Sequence, residues 1–234
     1  MGEFLTDPYL KFGEEALNSA LNPRSSPHRR FAHVRGPALA GIVAPILFWS
    51  VLTILGQTQV GYNALRSDIS LLALGVNGWV QTANFIVLGI LVVGFQGGLQ
   101  RTIAPGKIWG AIDVLAIACG LGLVSIAVFP TDPIGTWTLR GAVHLGVVAA
   151  LAILLPLSCL ATAAQVRRDR AWRGYATFSV LIGVLTGTLT VMLLLVWSGL
   201  WRASHPWLGL YERITFGLPC IWMEIIAIRL LRLW

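Results

Sequence analysis

Six apolar segments, each close to twenty residues long, dominate this chain of 234 residues. A helix of that length crosses a hydrocarbon core of about 30 Å, and a segment inside lipid must satisfy its own backbone hydrogen bonds. None of the segments alternates polar and apolar residues as the strands of a membrane β-barrel do. Charged residues make up only 12% of the chain, against about 25% in a soluble domain. The segments therefore predict an all-α fold, a polytopic membrane bundle of six transmembrane helices.

The predicted spans divide the chain into two parts. They cover about 38–56, 79–99, 108–129, 141–163, 176–200 and 208–231. Residues 38–234 then form the six-helix transmembrane domain, and residues 1–37 form an N-terminal segment outside the lipid. Within the fourth span, Pro156 predicts a kink, because proline interrupts the hydrogen bonds of a helix.

The lysines and arginines of the chain are distributed unequally between the two ends of the predicted bundle. Thirteen lie on the side of both termini: Lys11, Arg24, Arg29, Arg30, Arg35, Arg101, Lys107, Arg167, Arg168, Arg170, Arg173, Arg229 and Arg232. Four lie opposite: Arg66, Arg140, Arg202 and Arg213. Because cytoplasmic loops carry the excess of basic residues, we expect both termini in the cytoplasm and the protein in the plasma (inner) membrane of a prokaryote. This topology accounts for the net charge of +7, and no nucleic-acid partner is expected.

The N-terminal segment contains an amphipathic pattern over about residues 8–22. Leu10, Leu17 and Leu21 fall on one face of a helix, and two glutamates fall on the other. Helices that lie on anionic lipid are usually basic on their polar face, so an acidic face favours docking on a membrane-protein partner or on the basic loops of the bundle itself. A frayed tail is the alternative, since short isolated helices are weak in water. Pro23–His33 is interpreted as a linker between this helix and the first span.

Four polar strings stand at the predicted outer ends of the spans. They are Gly61-Tyr62-Asn63-Ala64-Leu65-Arg66-Ser67-Asp68-Ile69-Ser70, Phe129-Pro130-Thr131-Asp132-Pro133, His144, and Glu212-Arg213-Ile214. In this order and spacing, over about residues 36–234, the chain resembles the bacterial and archaeal membrane family catalogued as domain of unknown function 998. The resemblance implies a membrane location and a fold, and it implies no particular activity. The family pattern usually has an acidic residue directly after the position of Ser70, where this chain has Leu71.

The polar residues of these strings are candidates for a site on the outer side. The candidate residues are Asp132, His144, Glu212, Ser70, Asp68 and Arg213. Carboxylates together with a histidine are suited to hold a metal ion or to act as general acid and base. Ser70 is a candidate nucleophile, although the sequence places no base beside it. The alternative is structural ion pairing between outer carboxylates and outer arginines. No metal site is firmly predicted.

Two further carboxylates, Asp113 and Glu224, are predicted inside the hydrocarbon region. A carboxylate there is costly unless it is paired, so each is expected to face the bundle or a partner. Arg213, Gly217 and Glu224 share one stripe of the sixth helix with a cysteine. A proton or ion relay is the functional interpretation of these acids, and a hydrogen-bonded carboxyl at a helix interface is the structural one.

Three functions remain open at the level of sequence. The first hypothesis is a non-enzymatic accessory or interaction subunit of a membrane complex, which would use the N-terminal helix. The second is a membrane-embedded enzyme that acts on a lipid or lipid-linked substrate at the outer face, and the third is a small transporter. The sequence identifies no cofactor. It indicates only the lipid bilayer itself as a partner, besides the possible protein partner of the N-terminal helix.

Overall fold

The computed structural model describes residues 27–103, 108–198 and 207–232. Within these ranges the chain forms long helices joined by short connections, and the described residues include no strand. The helices are α1 Pro27–Thr58, α2 Gly78–Thr102, α3 Trp109–Val128, α4 Leu139–Val166, α5 Arg173–Trp197 and α6 Leu208–Leu231. Short 3₁₀ helices at Ile69–Leu74 and Arg170–Trp172 lie in two of the connections. All six long helices contain a segment that is long and apolar enough to cross a membrane, which confirms the predicted fold class.

The first helix differs most from its predicted bounds. It begins at Pro27, so the part of the predicted linker Pro23–His33 from Pro27 onward is helical. The backbone N–H groups of a first helical turn have no partner within the helix. Proline has no such group, so it is well suited to start a helix. The amphipathic helix predicted over about residues 8–22, with its docking face of Leu10, Leu17 and Leu21, lies outside the described residues.

The six helices form a closed ring in chain order. Each helix packs on its neighbours in sequence, and α6 packs on α1 to close the ring. The last helix also contacts α2 and α4, which places α6 toward the middle of the bundle. Large apolar side chains on the outside of the ring, such as Ile90, Leu121 and Leu181, are more than half exposed. An apolar outer surface of this kind fits the hydrocarbon of a bilayer.

The helices α2 and α3 approach each other closely at two glycines that belong to no Gly-x-x-x-Gly motif. A Cβ on Gly89 of α2 would lie 2.7 Å from the backbone oxygen of Gly120 in α3, and a Cβ on Gly120 would lie 2.9 Å from the oxygen of Gly89. In the pair Gly94-x-x-x-Gly98 only Gly98 is in such contact, against Pro37 of α1, whereas the space around Gly94 is open. Small residues let helix backbones approach in this way.

The hydrogen bond that the proline inside α4 removes is replaced by a side chain of the neighbouring helix. Because Pro156 has no N–H, the carbonyl of Ala152, four residues earlier, has no donor within the helix. The hydroxyl of Thr190 in α5 donates to that carbonyl at 2.8 Å, and both residues are buried. In a membrane, where water is absent, this side chain supplies the bond that the helix lacks.

The two carboxylates that the sequence predicts inside the hydrocarbon region, Asp113 and Glu224, have different surroundings. Asp113 accepts hydrogen bonds from the side-chain amides of Gln96 at 3.3 Å and Gln100 at 2.9 Å, both on α2. Neutral amide donors of this kind fit a structural carboxyl at a helix interface. Glu224 is half-buried on α6, on the same stripe as Gly217, which packs against Trp49 of α1.

Candidate functional site

The site lies at the end of the bundle that carries Arg66, Arg140 and Arg213. This end has fewer basic residues than the opposite one and is hereafter called the arginine-poor end. The connection between α1 and α2, residues 59–77, folds over this end. It starts with a turn in which the Tyr62 amide donates to the Gln59 carbonyl at 3.2 Å, with Gly61 at a positive φ of 78°. Such a φ favours glycine, because a side chain would clash with the backbone.

The connection is fastened to the first turn of α6. The amide of Leu210 donates to the carbonyl of Leu65 at 3.0 Å, and Gly209 packs directly on the backbone of the connection. Arg213 donates to the Ser67 carbonyl at 3.1 Å and also to the hydroxyl of Tyr62. The family-like string 61–70 is therefore a folded cap, held in place by the residues at the start of α6.

The cap places Ser70 against His144 of α4. The Oγ atom of Ser70 lies 2.8 Å from Nε2 of His144, and the Nδ1 atom of His144 lies 2.7 Å from the carbonyl oxygen of Phe129. A carbonyl oxygen only accepts, so Nδ1 carries a proton and donates it. In a neutral ring Nε2 is then the acceptor, and the Ser70 hydroxyl donates to it. Both side chains are at most 6% exposed.

The end of α3 explains why the histidine ring is oriented in this way. The last carbonyls of a helix have no partner within the helix. Val128 is the last residue of α3, and its carbonyl accepts from Arg140 at 3.4 Å. The carbonyl of Phe129, the next residue, accepts from His144. Both donors come from α4, so this helix end fixes the tautomer and the direction of the imidazole.

Glu212 binds the backbone next to the serine. Its Oε2 atom accepts a 2.6 Å hydrogen bond from the backbone amide of Ile69, the residue before Ser70. Glu212 is 4% exposed, and it stands in the first part of α6, where the positive end of the helix dipole favours an acid. The carboxylate therefore positions the short helix that carries Ser70.

Asp68 and Tyr62 of the cap lie close to the charges of α6. Burial raises the pKa of the Asp68 carboxyl above its ordinary value, and the positive charge of Arg213 acts in the opposite direction. One carboxyl oxygen of Asp68 is buried without a hydrogen-bond partner among the described residues. Burial also raises the pKa of the Tyr62 phenol, although Arg213 opposes the shift by its charge and its hydrogen bond.

Asp132 has a different environment from the other predicted site residues. Its carboxylate accepts from the backbone amide and the hydroxyl of Thr138, at 2.6 and 2.7 Å. It lies over Gly141 in the first turn of α4, where a Cβ would collide with it. Asp132 thus holds the start of α4, which carries His144.

A cavity of about 110 Å³ begins at the serine and runs down the inside of the ring. Ser70 and Glu212 line one end, Gln96, Ser158 and Thr162 are polar residues further down, and the rest of the lining is mostly apolar. On α3 the lining residues are Ile112, Ala116, Cys119, Leu123 and Ile126, and on α4 they are Val148, Leu151, Leu155, Ser158, Cys159 and Thr162. This spacing of three and four residues marks one face of each helix. His144 stands at the top of the α4 stripe, four residues before Val148.

The predicted site residues therefore differ in the kind of contact that each makes. Ser70 and His144 are hydrogen-bonded to each other, and Glu212 holds the amide beside Ser70. Among the described residues, Arg213 donates to two backbone carbonyls and to Tyr62 rather than to a carboxylate. Within 27–103, 108–198 and 207–232, no three metal-ligating side chains lie close enough together to hold an ion.

The pairing of Ser70 with His144 is the feature that sequence reasoning missed. The two residues are 74 positions apart and lie in different strings, so no local spacing joins them. One signal was present, because both belong to the set of polar residues at the arginine-poor end.

These features define a class of protein: a six-helix membrane-spanning bundle with a buried serine–histidine pair at one end of an apolar cavity. A family model described as "Protein of unknown function (DUF998)" matches residues 42–229, most of the chain. The chain belongs to this family, as its polar strings predicted. No curated protein and no solved structure matches the chain.

Proposed function

We propose that this protein is a membrane-embedded enzyme of the serine type, which cleaves or transfers the acyl group of a lipid or lipid-linked ester at the arginine-poor end. The observation that carries the proposal is the 2.8 Å contact between Ser70 Oγ and His144 Nε2, with Nδ1 held by a carbonyl. A nucleophile, a base and a group that orients the base are the three parts of nucleophilic catalysis by serine.

The chemistry follows from these atoms. His144 Nε2 accepts the hydroxyl proton while Ser70 Oγ attacks the ester carbonyl carbon, and the carbonyl oxygen becomes an oxyanion. The tetrahedral intermediate collapses, the ester C–O bond breaks, and Nε2 gives the proton to the departing alcohol. Water or an acceptor alcohol then attacks the acyl-serine while Nε2 takes its proton, and that proton returns to Ser70 Oγ as the acid or new ester leaves.

The serine–histidine contact supports the enzyme hypothesis directly. The accessory-subunit hypothesis rests on residues 8–22, which lie outside the described residues. For the transporter hypothesis, broken helices near the midplane of both halves would be the typical feature. The helices that contain prolines, α1, α4 and α6, instead run without a break.

A fluorophosphonate probe tests the proposed nucleophile directly. Ser70 Oγ attacks the phosphorus, fluoride leaves, and the hydroxyl proton passes to His144. We expect the purified protein in detergent to gain one probe adduct, which peptide mass spectrometry places on Ser70. Ser70→Ala is expected to abolish labelling.

The control is Ser125→Ala, because Ser125 is half-buried on α3 and its hydroxyl donates to the carbonyl of Leu121, an exposed residue of its own helix. This variant should label as fully as the wild-type protein. Equal labelling of Ser70→Ala, or no labelling of the folded wild-type protein, would exclude Ser70 as an activated nucleophile.

We further propose that the arginine-poor end faces the outside of a prokaryotic plasma membrane and that both termini are cytoplasmic. The excess of basic residues at the opposite end supports this orientation. A reporter that is active only in the cytoplasm should be active when fused after Trp234. A reporter that is active only outside should be active when inserted at Gly135, an exposed position with open space around it. Activity on the opposite side at either position would refute the orientation.

A further inference from the structure

We propose that the cavity below Ser70 binds a single extended hydrocarbon chain of the substrate lipid, with the reactive carbonyl at Ser70 and the methyl end toward the opposite end of the bundle. This inference rests on the proposed function for the role of Ser70. The occupant itself is argued from the length, the lining and the position of the cavity.

The length of the cavity matches one lipid chain. Its lining runs from Ile126 to Ile112 on α3, about 21 Å at 1.5 Å per residue, and from Glu212 to Met223 on α6, about 16 Å. One leaflet of a bilayer is about 15 Å of hydrocarbon, half of the core thickness. The cavity therefore accepts a chain of the length that lipids supply, lying parallel to the helices.

The lining suits hydrocarbon and little else. Phe48, Phe85, Phe95 and Phe216 contribute aromatic surface, and most of the remaining lining is aliphatic. Water in such a space would find few polar partners, whereas each methylene buried there gains hydrophobic free energy.

The polar groups at the two ends of the cavity set the direction of the chain. Ser70 and Glu212 line the cavity at the arginine-poor end, beside His144. Further down, the amide of Gln96 is bonded to Asp113 and the hydroxyl of Ser158 to its own helix. An ester group needs polar partners and its chain needs none, so the carbonyl belongs at the serine.

Photo-crosslinking tests the occupant without requiring catalysis. The probe is a monoacylglycerol that carries a diazirine at the methyl end of a palmitoyl chain, added to the protein in lipid nanodiscs. We expect crosslinks on the cavity face of α3, at Ile112 and Ala116, in the wild-type protein and in Ser70→Ala alike. Crosslinks only at Val114, Ile117 and Leu121, which are exposed on the outer face of α3, would overturn the inference.

A plug in the cavity provides the second measurement. Ala116→Phe fills the lower part of the cavity, and Ile117→Phe, on the exposed face of the same helix, is its matched control. The measurement is the competition of unlabelled palmitoyl glycerol or octanoyl glycerol against the photo-crosslinking probe. Because several buried methylenes are lost, we expect Ala116→Phe to weaken the apparent affinity for palmitoyl glycerol about tenfold or more, and to leave that for octanoyl glycerol nearly unchanged. An equal loss for both chain lengths, or an equal effect of the control variant, would contradict a chain-length slot. Failure of Ser70 labelling would refute the proposed enzyme and leave these binding results intact.

Discussion

His144→Gln is expected to slow the reaction of Ser70 with a fluorophosphonate by about 10²–10⁴-fold, the usual contribution of a general base. The amide of glutamine is able to donate to the carbonyl of Phe129, but it cannot accept the serine proton as a base. The second-order rate constant for labelling, measured per folded molecule, checks this expectation. A protein with Ser70→Ala should stay unlabelled with or without His144→Gln, because the two residues act as a unit.

Arg140→Gln is the matched control for this experiment. Arg140 lies on α4 one turn before His144 and also donates to a terminal carbonyl of α3, that of Val128, but it has no contact with Ser70. We expect its labelling rate to stay within about twofold of wild type, as for a surface substitution away from the chemistry. If both variants slow labelling equally, His144 acts only through the packing of α4 on α3.

Gly209→Ala is expected to lower the thermal stability of the purified protein by several degrees and to reduce Ser70 labelling. A Cβ at Gly209 would meet the backbone oxygen of Ser67 and would lie 2.8 Å from that of Ala64. Backbone atoms cannot move as the end of a side chain can, and overpacking of this kind costs about 1–3 kcal/mol. Relief requires the cap to shift away from α6, and the cap carries Ser70.

The open glycine of α2 provides the comparison. Gly94 also lies within a helix, and a Cβ there would meet no atom within 4 Å. Gly94→Ala should be neutral or stabilising, since alanine favours a helix over glycine by about 0.5–1 kcal/mol. Midpoints of thermal unfolding in one detergent measure both variants. A midpoint for Gly209→Ala as high as that for Gly94→Ala would show that the cap is not packed tightly on α6.

Pattern alone was sufficient for the architecture of this chain. Apolar runs of about twenty residues can only be buried in lipid as helices, so the number and approximate bounds of the spans follow from the sequence. The largest discrepancy was the start of the first helix at Pro27. A polar, arginine-containing stretch carries no apolar periodicity, so its helical extension could not be recognised.

The glycine motifs show where local pattern stops being informative. Gly94 and Gly98 are equivalent in the sequence motif, yet only Gly98 meets another helix. The crossing of Gly89 and Gly120 belongs to no such motif. Which glycine makes a contact depends on the rotation of each helix in the ring, and that rotation is set by the packing of all its neighbours.

The sequence by itself determined the membrane fold, the family and the set of polar residues at the arginine-poor end. Only the tertiary structure decided their partners: Ser70 with His144, Glu212 with the amide of Ile69, and Asp132 with Thr138. Hydropathy and spacing act along one helix, where neighbours are three or four residues apart. The serine–histidine pair joins residues 74 positions apart, through the contact of a cap held by α6 with the top of α4, and such a contact exists only once the ring has closed.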